Sequence, residues 1–275
     1  MPKLVTPLLA AVLACGVLAG CSATTYPPPV TSSSTQPPKG FTDLVALRGD
    51  VRTAIQRATT AHWKLAGSAL HGTGTIDLSA PSAPALAFDA TGSSAQQFHT
   101  VLRGKDRYLK TAATAKRAKP WLKVTGTGPT AAEFGGILEQ LADTVNPLTT
   151  LDTLGAVGTL RGSSPTRLDG QEVVEYHLSL DGATLAKREI AALGDGLPAK
   201  TKAKISTELK QLPDSVPASL WLDPNDRPVK VSITLNAHGA SELSAANTVT
   251  YSDWGKPVDI TAPPADEVAA LPTGN

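Results

Sequence analysis

Cys21 is the one side chain whose neighbours prescribe a reaction. It closes the run Leu18-Ala19-Gly20-Cys21, at the end of an apolar stretch that starts near Leu4 behind the positive Lys3. Residues 8–18 form an apolar segment too short to span a bilayer comfortably. Small residues followed by a cysteine look like a bacterial lipobox, where diacylglycerol is transferred to the thiol and the peptide is cut just before it. An ordinary secretory signal with a chance cysteine shares the apolar segment and the small residues, but needs no thiol there. The expectation is a signal peptide over 1–20 and a mature chain starting at Cys21. Two acyl chains would then hold it at the extracytoplasmic face of the cell membrane, each buried CH₂ contributing about 0.8 kcal/mol.

The other candidates for chemistry carry less. Asp77 and Asp89 fall on neighbouring expected strands and could act as an acid and base pair, but exposed acids are the norm on a wet sheet face. His62, His71, His99, His177 and His238 stand alone, with no HExxH or HxxxH pair and no mature thiol to complete a metal site. Gly126-Thr127-Gly128-Pro129-Thr130-Ala131 has the GxGxxA spacing. A dinucleotide site would need a parallel βαβ unit and an acid ending the next strand, whereas the next segment is apolar and broken by proline. A turn and a helix cap explain it as well. No GxSxG or SxxK motif supports a serine nucleophile, and His71-Gly72 is a weak echo of an oxyanion-hole segment. Lys200, Lys202, Lys204 and Lys210 face only Glu208, a basic helix face that could favour acidic polymers or simply be solvated. The expectation is a protein that is not an enzyme and uses no cofactor or metal.

Composition narrows the partners. Without residues 1–20, 24 basic side chains balance 24 acidic ones, which argues against a nucleic-acid partner. Cys15 leaves with the signal, so Cys21 is the only mature cysteine and no intrachain disulfide can form. About 235 residues follow residue 40, enough for one domain with a sizeable core. Aromatic residues make up only 4 %, so that core should be aliphatic.

Residues 22–40, dominated by Pro, Ser and Thr, cannot offset their own ordering entropy and should form a tether. At about 3.1 Å per residue the tether would reach roughly 50–60 Å. The domain over 41–275 opens with a helix. Thr42 is its expected N-cap, Leu44, Leu47, Val51, Ile55 and Ala58 its apolar stripe, and His62 its approximate end. Short strands are expected at 63–69, 74–79, 86–90, 99–103, 107–111 and 121–124, with a hairpin turn at Gly104-Lys105-Asp106.

Thr130-Ala131-Ala132-Glu133 fits a capping box for a helix that carries Phe134, Ile137, Leu138 and Leu141. Pro147 should break that helix, with Leu148, Leu151 and Leu154 following in a second short one. A strand over 157–162 and a turn at Asp169-Gly170 precede a strand over 171–180, where Val174, Tyr176, Leu178 and Leu180 share one face. Asp181 should cap a helix reaching Leu193, and another should cover 198–212. Strands at 220–222, 229–235 and 247–254 close the chain. The strict alternation of Val229, Val231, Ile233 and Leu235 with Lys230, Ser232 and Thr234 predicts an antiparallel sheet with one wet face.

The run Val249-Thr250-Tyr251-Ser252-Asp253-Trp254-Gly255-Lys256-Pro257-Val258-Asp259-Ile260-Thr261-Ala262-Pro263-Pro264 resembles the LppX/LprG family of actinobacterial lipoproteins, in the LolA-like superfamily. Ala61-His62-Trp63 and the order of parts over 41–264 are similar too. The resemblance implies an α+β, LolA/LppX-like fold, with a curved antiparallel half-barrel packed over helices and an aliphatic cavity between. It implies a non-enzymatic role: binding the acyl chain of a lipid or lipoglycan and carrying or presenting it in the envelope. The chain would act as a monomer, anchored through diacylglycerol on Cys21, and could hand cargo to an export-partner protein. Candidate lining residues are Phe134, Ile137, Leu138, Leu141, Leu148, Leu151, Val174, Tyr176, Val231 and Ile233. The same residues would serve equally to plug a solid core, since buried apolar faces are usually packed to native density. An envelope sensor or docking lipoprotein on the same fold is the alternative. It predicts a filled interior and an exposed apolar patch.

Overall fold

A computed structural model describes residues 40–67, 70–92, 97–124, 129–193, 199–235 and 245–271. The expected lipobox with Cys21, the expected tether, the glycines of the GxGxxA run, the Thr130 and Glu133 side chains of the expected capping box, and His238 lie outside the described residues.

Helix α1 spans Leu44–Ala58 and buries Leu47, Val51 and Ile55 of the expected stripe together with Ala54, while Leu44 and Ala58 are half-buried. Its cap is Asp43 instead of Thr42, because the Asp43 carboxylate accepts the Ala46 N–H at 2.9 Å. It stops at Ala58, short of His62. Thr59 turns left-handed (φ 62°) and gives its N–H to Ile55 O, and Thr60 already begins a strand.

Strands β1 (Thr60–Ala66), β2 (Leu70–Asp77), β3 (Ala85–Gly92), β4 (Gln97–Arg103), β5 (Asp106–Thr111) and β6 (Trp121–Lys123) follow as an antiparallel meander. Two helices come next, α2 (Pro129–Val145) and α3 (Pro147–Val157), divided where Pro147 cannot continue the first. Strands β7 (Gly158–Leu168) and β8 (Gln171–Asp181) form a hairpin whose turn residues, Asp169 and Gly170, both have positive φ, as a tight type I′ turn requires. Asp181 then caps α4 (Gly182–Ala192) by accepting the Thr184 N–H at 2.7 Å. Helix α5 (Ala199–Leu209) leads to β9 (Ser215–Leu222), β10 (Pro228–Leu235) and β11 (Ala245–Ser252).

All these strands, with β12 (Val268–Ala270), make one curved, unclosed sheet in the order β12-β6-β5-β4-β3-β2-β1-β11-β10-β9-β8-β7. Every pairing is antiparallel except β12 on β6. β7 runs on to Leu168 through Pro165, which an edge strand tolerates because one side needs no ladder donor.

The inner face is aliphatic: Ala61, Trp63 and Leu65 on β1, Leu86, Phe88 and Ala90 on β3, Val174 to Leu180 on β8, and Val216 to Leu222 on β9. These residues join the buried stripes of α1, α2 and α3 in a single cluster. Alternating positions on the same strands face outward, as the period-2 pattern demands. A second, smaller cluster of Val101, Tyr108, Trp121 and Ile260 lies on the outer face, covered by the C-terminal tail. The Val258-Asp259-Ile260 segment has no strand pairing. It contributes Ile260 to that outer cluster.

Candidate functional site

The candidate site is the contact between the inner sheet face and its helical cover. Leu148 and Leu151 on α3, Val174 and Tyr176 on β8, and Val231 on β10 are buried in the main cluster, and Ile233 packs against it half-buried. Helix α2 is divided. Leu138 and Leu141 are 2 % and 6 % exposed, while Phe134 and Ile137 on the same helix are 37 % and 42 % exposed. Of the ten candidates, then, eight contribute to one apolar mass and two face solvent at its margin.

What holds the cover differs along its length. Helix α3 is tied to α1 through Asp152, which accepts from both Arg48 and Arg52. The junction between α2 and α3 is also fixed. Asn146 caps α3 by accepting the Leu148 N–H at 3.0 Å, and Tyr251 Oη donates to Val145 O at 3.1 Å. Burial pushes the Tyr251 phenol far above its ordinary range, so it remains a donor at any physiological pH. Toward its N-terminus α2 contains Gly135-Gly136, around which a Cβ would meet nothing within 4 Å. Two interior glycines together weaken the helix by roughly 1–2 kcal/mol relative to alanines. One ion pair, Arg107 with Glu139, links α2 to β5. The cover is thus anchored at Val145–Pro147 and lightly held beyond it.

Electrostatics loosen it further. Burial pushes the half-buried Glu189 carboxyl of α4 upward, and the Asp143 carboxylate of α2 adds to the rise, opposed by Arg188. A carboxyl with a raised folded-state pKa stabilises most when protonated. That contribution is lost as pH rises through the folded value. Glu189→Gln is therefore expected to raise the thermal midpoint at pH 7, with the gain vanishing near pH 4. A scan at the two pH values checks it, and an equal gain at both would contradict the assignment.

The hydrolytic candidates do not converge. Asp77 faces Ala85 and accepts the Ser79 N–H at 2.8 Å, while Asp89 faces Thr73, four residues back along β2. At about 3.3 Å per residue, that separates the two acids by roughly 13 Å. Asp89 is paired instead with His99 Nδ1 at 2.5 Å, and no group of His, Cys, Asp or Glu among the described residues could hold a metal ion. His177 lies apart on β8 beside Glu175, and Lys204 on α5 pairs with Glu208.

Nothing in the linear pattern points to a pocket of about 450 Å³ on the outer face of β11, β1, β2, β3 and β4, which His62 and His99 line from strands β1 and β4. Its signal existed only as small outward residues, Thr73, Thr75 and Ala87, between long ones. On the inner side, the Trp63 indole nitrogen and Thr100 Oγ1 are buried without a hydrogen-bond partner.

No family model matches this sequence, and no curated protein matches it. Among solved structures, the chain is similar to the Mycobacterium tuberculosis lipoprotein LppX at 14 % identity and a TM-score of 0.49, covering 79 % of this chain and 98 % of that one. It is similar to LprF from Mycobacterium bovis at 16 % identity and a TM-score of 0.49, covering 80 % of this chain and 96 % of that one. MucB in complex with MucA gives 13 % identity and a TM-score of 0.31, over 82 % of this chain and 61 % of that one. No helix among the described residues is long and apolar enough to cross a membrane.

Proposed function

We propose that this chain is a lipid-anchored envelope protein that takes the acyl chain of a lipid or lipoglycan between its sheet and helix α2, and carries or presents it. The observation that carries this is the division of α2. Leu138 and Leu141 lie in the core while Phe134 and Ile137, toward the N-terminus, stay wet on a segment weakened by Gly135-Gly136. A helix fixed at Val145 and loosely held elsewhere can swing from the sheet, letting an alkyl chain replace its leucines against the aliphatic inner face. The lipobox at Cys21 supports anchoring at the extracytoplasmic face, and the tether supports reach from it.

A second reading rests on the same packing. A core already filled by side chains favours an envelope sensor or docking lipoprotein that acts through its surface.

Helix α2 separates the two. Gly135→Ala with Gly136→Ala is expected to stabilise the fold by about 1 kcal/mol and to weaken a fluorescent long-chain acyl probe at least several-fold. Titration of that probe against the full chain carrying Cys21→Ser, with and without the glycine substitutions, provides the measurement. Saturable binding that the double substitution leaves unchanged would refute the swinging cover. Absence of saturable binding would leave the docking reading.

A further inference from the structure

The outer-face pocket belongs to no part of the acyl-chain account, and its chemistry is different. Its floor is low because Thr73 and Thr75 on β2 and Ala87 on β3 carry small side chains, and its walls are Lys64, His62 and the Asp89–His99 pair. Lys64 has Thr250 and Thr73 as its cross-strand neighbours, both hydroxyls, and no carboxylate pairs with it among the described residues.

The row containing Lys64 crosses the strands with three lysines, Lys230, Lys64 and Lys110. Lys230 stands opposite Thr250 and lies over the Trp221 ring, and Lys110 stands opposite His99 and lies over the Trp121 ring. The acids of this row are already engaged, Asp89 by His99 at 2.5 Å and Glu175, beyond Trp221, by His177 at 3.4 Å. The charge left unengaged at the pocket is thus the Lys64 ammonium, so a cation finds no unengaged ligand here, whereas an oxyanion finds that ammonium and the Thr73 hydroxyl beside one space. Such charge-assisted hydrogen bonds are the strong kind. A volume of about 450 Å³ accommodates a phosphate with the small alcohol it esterifies.

We propose that this pocket binds a phosphate ester, with Lys64 as the charge partner and the Thr73 hydroxyl as donor, while the Thr250 hydroxyl donates to Lys64 O at 3.5 Å. Calorimetric titration of the full chain carrying Cys21→Ser tests it, using inorganic phosphate, glycerol 3-phosphate and dispersed short-chain phosphatidylglycerol, with diacylglycerol as the phosphate-free control. Saturable binding is expected, weakened about tenfold or more by Lys64→Gln and preserved by Lys64→Arg. Binding of the two water-soluble ligands assigns the pocket to a free phosphate ester, whereas binding of phosphatidylglycerol alone assigns it to a lipid headgroup. Saturation by none of the three, or equal binding by Lys64→Gln with an unchanged unfolding midpoint, would overturn the proposal. Lys64→Gln should leave uptake of the acyl probe intact, so this site and the acyl site fail separately. Thr73→Val provides a second variant at an exposed strand position and should weaken binding several-fold.

Discussion

Gly74→Ala is expected to cost about 3 kcal/mol or more of folding stability, the high end for adding one methyl to a packed site. The added Cβ would sit 2.4 Å from Ala87 O, 2.6 Å from Phe88 Cβ and 2.7 Å from Trp63 Cζ2. One of these neighbours is backbone of the adjacent strand, which cannot rotate away. Gly72 repeats the arrangement two residues earlier, at 2.5 Å from Asp89 O. Without a side chain at Gly74, the Trp63 and Phe88 rings of the flanking strands close to 5.7 Å across it on the inner side. Denaturant unfolding would measure the cost, and a loss under about 1 kcal/mol would mean that this close packing is not needed.

The second large effect is a contrast between two leucines. Leu154 on α3 is 1 % exposed, in the part of the cover tied to α1 through Asp152. Leu154→Ala should cost about 4 kcal/mol, because a rigid surround cannot collapse into the space left behind. Leu138 on α2 is 2 % exposed, yet its helix is lightly held. Leu138→Ala should cost only about 2 kcal/mol, close to the transfer free energy alone. Chemical denaturation of both variants yields the difference. Equal losses near 4 kcal/mol would mean that α2 is as firmly seated as α3, and no alkyl chain could displace it.

Much of this architecture was legible. The alternation of Val174, Tyr176, Leu178 and Leu180 placed β8 and its inner face, Asp181 marked the start of α4, and Pro147 the break between α2 and α3. Periodicity failed where something other than burial set the conformation. Gly72 and Gly74 erase the alternation of β2, so its first half was invisible. Edge strand β7 is polar because little covers it, and β12 has only three residues whose pairing depends on distant β6.

The candidate site was legible as a set of residues but not as a mechanism. Spacing puts Phe134, Ile137, Leu138 and Leu141 on one stripe, yet only packing decides where the sheet stops covering that stripe. The outer pocket was beyond reach for a related reason. Lys64 and Thr250 become neighbours only through β1–β11 pairing, a contact that no local pattern encodes.

The central claim is that an acyl chain displaces the leucines of α2 from the inner sheet face, and the most direct measurement is of what the purified protein carries. The full chain with Cys21→Ser, produced in an envelope-forming bacterium and extracted with organic solvent, should yield acylated lipid in near-stoichiometric amount by mass spectrometry. Leu138→Trp, which sets a bulkier apolar side chain against the sheet face that the acyl chain would take, should reduce that yield severalfold. Lipid-free extracts from a folded protein, or equal recovery from the Leu138→Trp chain, would contradict the account.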